Sequence, residues 1–227
     1  MKVTILYEDK DLVVAVKPFG MPSQPDKTGD MDILTYLEHS YKGSKYGEYV
    51  GLVHRLDRPV GGVMIFARNK KAEQKLAEEI RLNHVQKEYL TILTGKMPDR
   101  LGSLENYLLK NGKTNLSVVV PPHQKGAKKA QLNYTVLESK PQEPWEILSL
   151  VKIQLLTGRH HQIRVQCSHA GAGILGDRKY NKEASKAYDG NNIALWSYCL
   201  SFWHPFQKQQ MCFEMLPKEP PFSLFFS

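Results

Sequence analysis

The chain has 227 residues, 41% of them hydrophobic and 24% charged, enough for one domain with a substantial core. Its formal net charge is +8 with a pI near 9.2, which favours a polyanionic partner, nucleic acid first and anionic membrane second. Cys167, Cys199 and Cys212 form no C-x-x-C pair, so neither a zinc knuckle nor a disulfide framework is signalled. Reduced thiols in a cytoplasmic chain are the simplest account. No apolar run approaches the roughly 18–20 residues of a membrane span, and the acidic residues near the N-terminus do not suit a signal peptide.

In chain order, Val3–Tyr7 and Leu12–Val16 read as strands joined by the turn Glu8-Asp9-Lys10-Asp11. Lys17-Pro18-Phe19-Gly20-Met21-Pro22 then breaks the chain into a loop. Asp32 to Tyr41 reads as a short helix with Ile33, Leu34 and Leu37 on one face. Next comes Gly51-Leu52-Val53-His54-Arg55-Leu56-Asp57-Arg58-Pro59-Val60-Gly61-Gly62, running into the apolar strand Val63–Ala67. Asp57 stands between two arginines, and nearby positive charge favours the ionised carboxylate. Such a group suits a nucleophile or an electrostatic stabiliser; a structural ion pair in a loop is the equally weighted alternative. Asn69 then caps a helix to about Leu82, with Ala72, Leu76 and Ile80 as its buried stripe.

A second block, Gln86–Leu93, places Lys87 two residues before Tyr89 at the start of an apolar strand. By itself such a Tyr is most often core. Asn111-Gly112-Lys113-Thr114 ends like a phosphate-binding loop, but the first glycine of that pattern would fall at Tyr107, which rejects it. The basic stretch 124–129 suits phosphate contact or a solvated loop. Leu132, Tyr134 and Val136 mark one strand and Ile147, Val151 and Ile153 another, with Pro141–Pro144 turning between them. The third block is Leu155-Leu156-Thr157-Gly158-Arg159-His160-His161-Gln162-Ile163-Arg164, a strand end and turn leading into a helix to about His169. Gly171–Gly176 fits G-x-G-x-x-G, but it follows a helix and so does not fit a dinucleotide loop. The histidines show no metal-ligand spacing. Ile193–Trp203 and Gln209–Met215 read as strands about His204-Pro205, and the tail Pro217–Ser227 either packs or is loose.

These three ordered blocks resemble the RluA-type pseudouridine synthases. His54–Gly62 resembles H-R-L-D-R-x-x-S-G, with Gly61 where the family usually has Ser; Lys87–Tyr89 resembles K-x-Y; Leu155–Arg164 resembles L-x-T-G-R-x-H-Q-I-R at every fixed position. Gly176–Tyr180 matches the end of the last block, whereas Gln166 and Gly173 replace the usual His and Pro. The resemblance runs from about Ile5 to about Met215. It implies an α+β pseudouridine synthase fold, a mixed and largely antiparallel sheet flanked by helices and loops. It further implies one catalytic domain over 1–227, with no room for the S4-type module that often precedes it in the family.

The activity implied is isomerisation of a uridine in structured RNA, ribosomal or transfer, after the base is flipped out. Asp57 would be the catalytic nucleophile or base. Arg55 would fill the space left by the base, Tyr89 would stack on it, and Arg164 would pair with Asp57; His54 and Arg58 join the substrate-binding set. Neither metal nor organic cofactor is expected, since the reaction is redox-neutral, and the enzyme is expected to act as a monomer in the cytoplasm. Two other classes remain: an idle RNA binder, which would not need Asp57, and a glycosidase, which would need a second carboxylate.

Overall fold

The computed structural model describes residues 2–190 and 192–226. Met1 and Ser227, the outer ends of the N-terminal and tail readings, lie outside them. Strands β1 (Thr4–Glu8) and β2 (Leu12–Lys17) precede helix α1 (Ile33–Ser40), then β3 (Gly51–Leu52), β4 (Gly61–Ala67), α2 (Lys70–Arg81) and β5 (Gln86–Thr94). There follow β6 (Leu101–Asn111), β7 (Leu116–Val120), β8 (Lys128–Pro141), β9 (Ile147–Leu155), α3 (Gln162–His169), β10 (Gly173–Ile174), α4 (Lys182–Lys186), β11 (Leu195–Trp203) and β12 (Gln210–Glu214). The expected α+β class with a sheet-dominated, largely antiparallel architecture is what forms. The chain divides into two compact units, 1–87 with 197–216 and 88–196 with 217–227.

In the first unit, β2 pairs antiparallel with β1 on one side and β4 on the other, from Leu12 opposite Ala67 to Lys17 opposite Gly62. Strand residues alternate faces, so Leu12 and Val14 share a face with Val63, Ile65 and Ala67. Leu200, Phe202 and Met211 extend this apolar surface, and the α2 stripe of Ala72 and Leu76 packs on it. Ile80 is only partly buried at the end of that stripe. The opposite face of β2 and β4 is equally buried through Val13, Ala15, Met64 and Phe66, which is why these strands read as continuous apolar runs. Both helices begin as their capping residues dictate: Asp32 accepts the Thr35 N–H at 3.0 Å and Asn69 the Ala72 N–H at 2.9 Å.

The second unit is built on the order β5-β9-β8-β6-β7, with β10 alongside β5. Each successive pair in that order is antiparallel. The long β6 and its hairpin partner β7 have no clear signature in the sequence. Their burial alternates weakly, because much of this hairpin is only half covered. The rejected phosphate-loop look-alike is its turn, in which Asn111 Oδ1 accepts the N–H groups of Lys113 and Thr114. Helix α3 seats Val165 against Leu108 and Ala130. The tail is not loose: Phe222 is fully buried in a single 3₁₀ turn, Phe222–Leu224.

Candidate active site

The His54–Gly62 stretch folds as a loop between β3 and β4 in the first unit. The Val60 N–H donates to the Asp57 carbonyl at 2.9 Å, closing a tight turn over Arg58 and Pro59. The backbone of Leu56 is gripped at both ends: Ser23 Oγ donates to its carbonyl at 2.8 Å and accepts its N–H at 3.1 Å. Both residues are buried, so the residue before Asp57 is held by a polar clamp in a dry environment. The half-buried Asp57 is therefore presented from a fixed backbone.

Lys17 lies fully buried beneath this turn. Its Nζ donates to the carbonyls of Met21 at 2.6 Å, Pro18 at 3.1 Å and Arg58 at 3.2 Å. Burial pulls its ammonium down to about 7, the charge of Asp57 opposes that fall, and Arg58 adds to it. Lys17 and Ser23 were not among the sequence-derived site residues. For Lys17 a signal existed, because a Lys ending an apolar strand before Pro must either leave the core or find carbonyls; for Ser23 there was none.

The other residues of the motif divide by environment. Arg55 is exposed. His54 Nε2 accepts the Ile65 N–H at 3.1 Å, and burial, helped by the charge of Lys87, drives the imidazole down to about 3. His54 is thus a neutral ring fixed to β4, with its proton on Nδ1. Arg58 is committed to the loop that follows β2: its Nε donates to the Gly20 carbonyl, and its guanidinium binds Thr28 and Asp30. Lys87 is itself buried, and that burial lowers its pKa.

In the second unit, Tyr89 is buried in β5 opposite Ile153 of β9. The third block folds as its residue types dictate. Gln162 Oε1 accepts from Thr157 Oγ1 at 2.8 Å and from the Arg159 N–H at 3.0 Å, drawing the turn onto the first residue of α3. His161 sits before that helix at φ 53°, stacked on His160 with ring centroids 3.8 Å apart. Arg164 projects from the first turn of α3 and grips Asp177 through two parallel bonds of 2.8 Å each. This pair is 5% and 0% exposed. Asp177 Oδ1 also accepts the N–H groups of Lys179 and Tyr180, and the Tyr180 hydroxyl meets His161 Nδ1 at 2.8 Å and the Ser117 N–H at 2.7 Å. Asp177 and Tyr180 belong to the tail of the third block, whose sequence match gave no hint of this partnership.

A family model described as RNA pseudouridylate synthase matches residues 11–169. The chain belongs to this family. The RNA pseudouridylate synthase family accounts for all three blocks, including the resemblance to its RluA-type members, and removes the glycosidase alternative. An uncharacterized RNA pseudouridine synthase of Aquifex aeolicus (strain VF5) is 32% identical over 223 residues, covering 94% of this chain and 69% of that protein. Ribosomal large subunit pseudouridine synthase C of Escherichia coli (strain K12) is 31% identical over 207 residues, covering 88% of this chain and 62% of that protein. The chain thus spans about two thirds of the length of these curated relatives. Among solved structures, human RNA pseudouridylate synthase domain containing 4 matches with a TM-score of 0.76 at 25% identity, covering 97% of this chain and 91% of that one. Human RNA pseudouridylate synthase domain containing 1 reaches 0.79 at 21% identity, a likeness of fold, covering 97% and 85%.

Two of the three departures from the family pattern, Gln166 and Gly173, have local accounts. Gln166, in place of the usual His, donates through Nε2 to Asn106 Oδ1 at 2.8 Å and to the Leu104 carbonyl at 3.2 Å, so it ties α3 to β6. At Gly173, in place of the usual Pro, a Cβ would lie 2.5 Å from Asn181 Cγ. Asn181 occupies that space and donates to Thr94 Oγ1 and the Ile174 carbonyl.

Proposed function

We propose that this chain converts a uridine of structured RNA to pseudouridine, and that ribosomal large-subunit RNA is its substrate class. The bond from C1′ to N1 of uracil breaks, C1′ joins C5 of the same base, C5 gives up its proton and N1 gains one. Nothing is oxidised, and no activated group is consumed. The target base must first leave its stack, at a cost of a few kcal/mol.

The observation that carries this reading is the presentation of Asp57: one carboxylate on a clamped turn, with the buried Lys17 amine close enough to feel its charge. In the proposed reaction Asp57 attacks the sugar or starts its elimination. Exposed Arg55 takes the place of the flipped base. Tyr89 provides a ring face, and stacking on an unpaired base contributes about 1–3 kcal/mol. Arg164 keeps Asp57 ionised and aimed, as the family resemblance implies. We read 1–227 as one catalytic domain acting as a cytoplasmic monomer. The substrate class rests on the name of the Escherichia coli relative and on a net charge of +8.

Asp57→Asn keeps the shape of the side chain and removes its charge. It should abolish release of the uracil C5 hydrogen while RNA affinity stays within a few-fold. Turnover within about tenfold of wild type, a difference of only about 1.4 kcal/mol in barrier, would remove Asp57 from the mechanism. Mapping pseudouridines in ribosomal and transfer RNA from cells with and without the gene identifies the target; loss confined to transfer RNA would overturn the substrate assignment.

A further inference from the structure

Strand pairing in the first unit brings together three groups that the sequence keeps apart. On β11 and β12, Cys199 lies opposite Glu214, and Ser201 opposite Cys212. Residues two apart share a face of a strand, so Cys199, Cys212 and Glu214 all point to one side of this hairpin. The two Sγ atoms are 3.5 Å apart although the residues are thirteen apart in sequence, and a Glu214 carboxylate oxygen lies within 4.8 Å of both. Cys199 is buried and Cys212 exposed, so the group opens to solvent on one side.

Two chemistries compete for such a pair of thiols. A disulfide needs sulfurs about 2.05 Å apart on Cα atoms no more than about 6.8 Å apart. Diagonal partners across an antiparallel pair sit roughly 7–8 Å apart at Cα, so the bond would demand movement of paired backbone. Two thiolates on one tetrahedral ion, at about 2.3 Å each, stand roughly 3.8 Å apart. The observed 3.5 Å is close to that spacing and far from a bond. The Tyr198 hydroxyl donates to Glu214 Oε2 at 2.7 Å, which holds the carboxylate beside the two sulfurs.

We propose that Cys199, Cys212 and Glu214 form a site for a thiophilic divalent cation, zinc above all, that clips β12 to β11. The ion takes two sulfurs and one carboxylate oxygen, and water completes the tetrahedron. The two thiol protons are released to solvent as the metal–sulfur bonds form. Two soft ligands select against magnesium and calcium, which take oxygen. A second cluster, Asp9, Asp11 and His204, has the proximity but not the lone pairs. His204 Nδ1 accepts the N–H groups of Phe206 and Gln207, so its Nε2 carries the proton that it donates to Asp9.

The test uses the full chain, reduced and stripped of metal. Zinc is titrated against a chromogenic chelator, and cadmium is followed by its thiolate charge-transfer absorbance. One ion per chain is expected, with a cadmium–thiolate band and a rise in unfolding temperature. Cys212→Ser, at an exposed position, should weaken zinc binding by at least about 100-fold, and Glu214→Gln by about tenfold, taking the 10–100-fold cost of outer-shell losses as the scale. Cys167→Ser should leave uptake unchanged. No uptake, uptake indifferent to Cys212→Ser and Glu214→Gln, or closure of a 199–212 disulfide in air, seen as loss of two hydrogens from the intact mass, would each overturn the proposal.

Discussion

Lys17 is a residue whose charge state the fold moves into the physiological range. Its folded pKa, about 7, is below the 10.5 of a free lysine. Between those values the unfolded chain binds a proton that the folded chain does not, so this group makes stability rise with pH across that window. Below pH 7 both states are protonated and the cost of burying the cation is fully present. Lys17→Met should therefore remove a positive slope, approaching about 1.4 kcal/mol per pH unit, from the difference in unfolding free energy between pH 7 and 10. Chemical denaturation of both proteins across that range measures it, and parallel pH curves would contradict the assignment. Arg164 makes the second residue-scale case. Removing one partner of a buried ion pair costs about 3–5 kcal/mol because the other charge is stranded. Arg164→Met and Asp177→Ala should both show that loss in denaturant unfolding. If Arg164 also serves Asp57, Arg164→Met should lose turnover per folded molecule, whereas Arg164→Lys retains part of it.

At the scale of elements, the start of β4 depends on the absence of a side chain. Gly62 has φ +122°, and a Cβ there would lie 2.3 Å from the Ser197 carbonyl oxygen and 2.5 Å from its nitrogen. These are backbone atoms of a neighbouring strand and cannot swing aside. Ser197 Oγ donates to the Val63 carbonyl at 3.0 Å, which fixes the approach from the other side. Gly62→Ala should destabilise the protein by more than the roughly 1 kcal/mol typical of a point substitution and displace the Asp57 turn that feeds β4. Thermal unfolding together with turnover at a permissive temperature tests this. An Ala variant with wild-type stability would mean that the two strands part without cost.

For the whole molecule, the excess of 31 basic over 23 acidic residues should govern RNA binding. Each phosphate neutralised on a single strand releases counterions, so log affinity should fall with log salt at a slope of roughly −0.7 per contact, and nearer −0.9 on a duplex. Filter binding or fluorescence anisotropy across a salt series reads the slope. A flat response would show that charge does not drive recognition.

The sequence by itself determined the parts whose physics is local. Asp32 and Asn69 cap their helices because their side chains accept first-turn N–H groups that have no carbonyl four residues earlier. Strands β2 and β4 were legible because burial on both faces demands unbroken apolar runs, whereas the two-residue β3 before the Asp57 turn carries no such run. The three blocks named the family, and with it Asp57, Tyr89 and Arg164. Tertiary structure alone decided what depends on partners distant in the chain. The half-covered β6–β7 hairpin left too weak an alternation to read, being defined by its neighbours rather than by burial. That Arg58 binds the loop after β2 and that Arg164 binds Asp177 could be read only from the fold, which decides which carboxylates a guanidinium can reach. Lys17 could be seen to end a strand, but the three carbonyls that make its burial tolerable come from two separate loops. The same holds for Cys199, Cys212 and Glu214, whose meeting is set by strand register, a property of the pair and not of either strand.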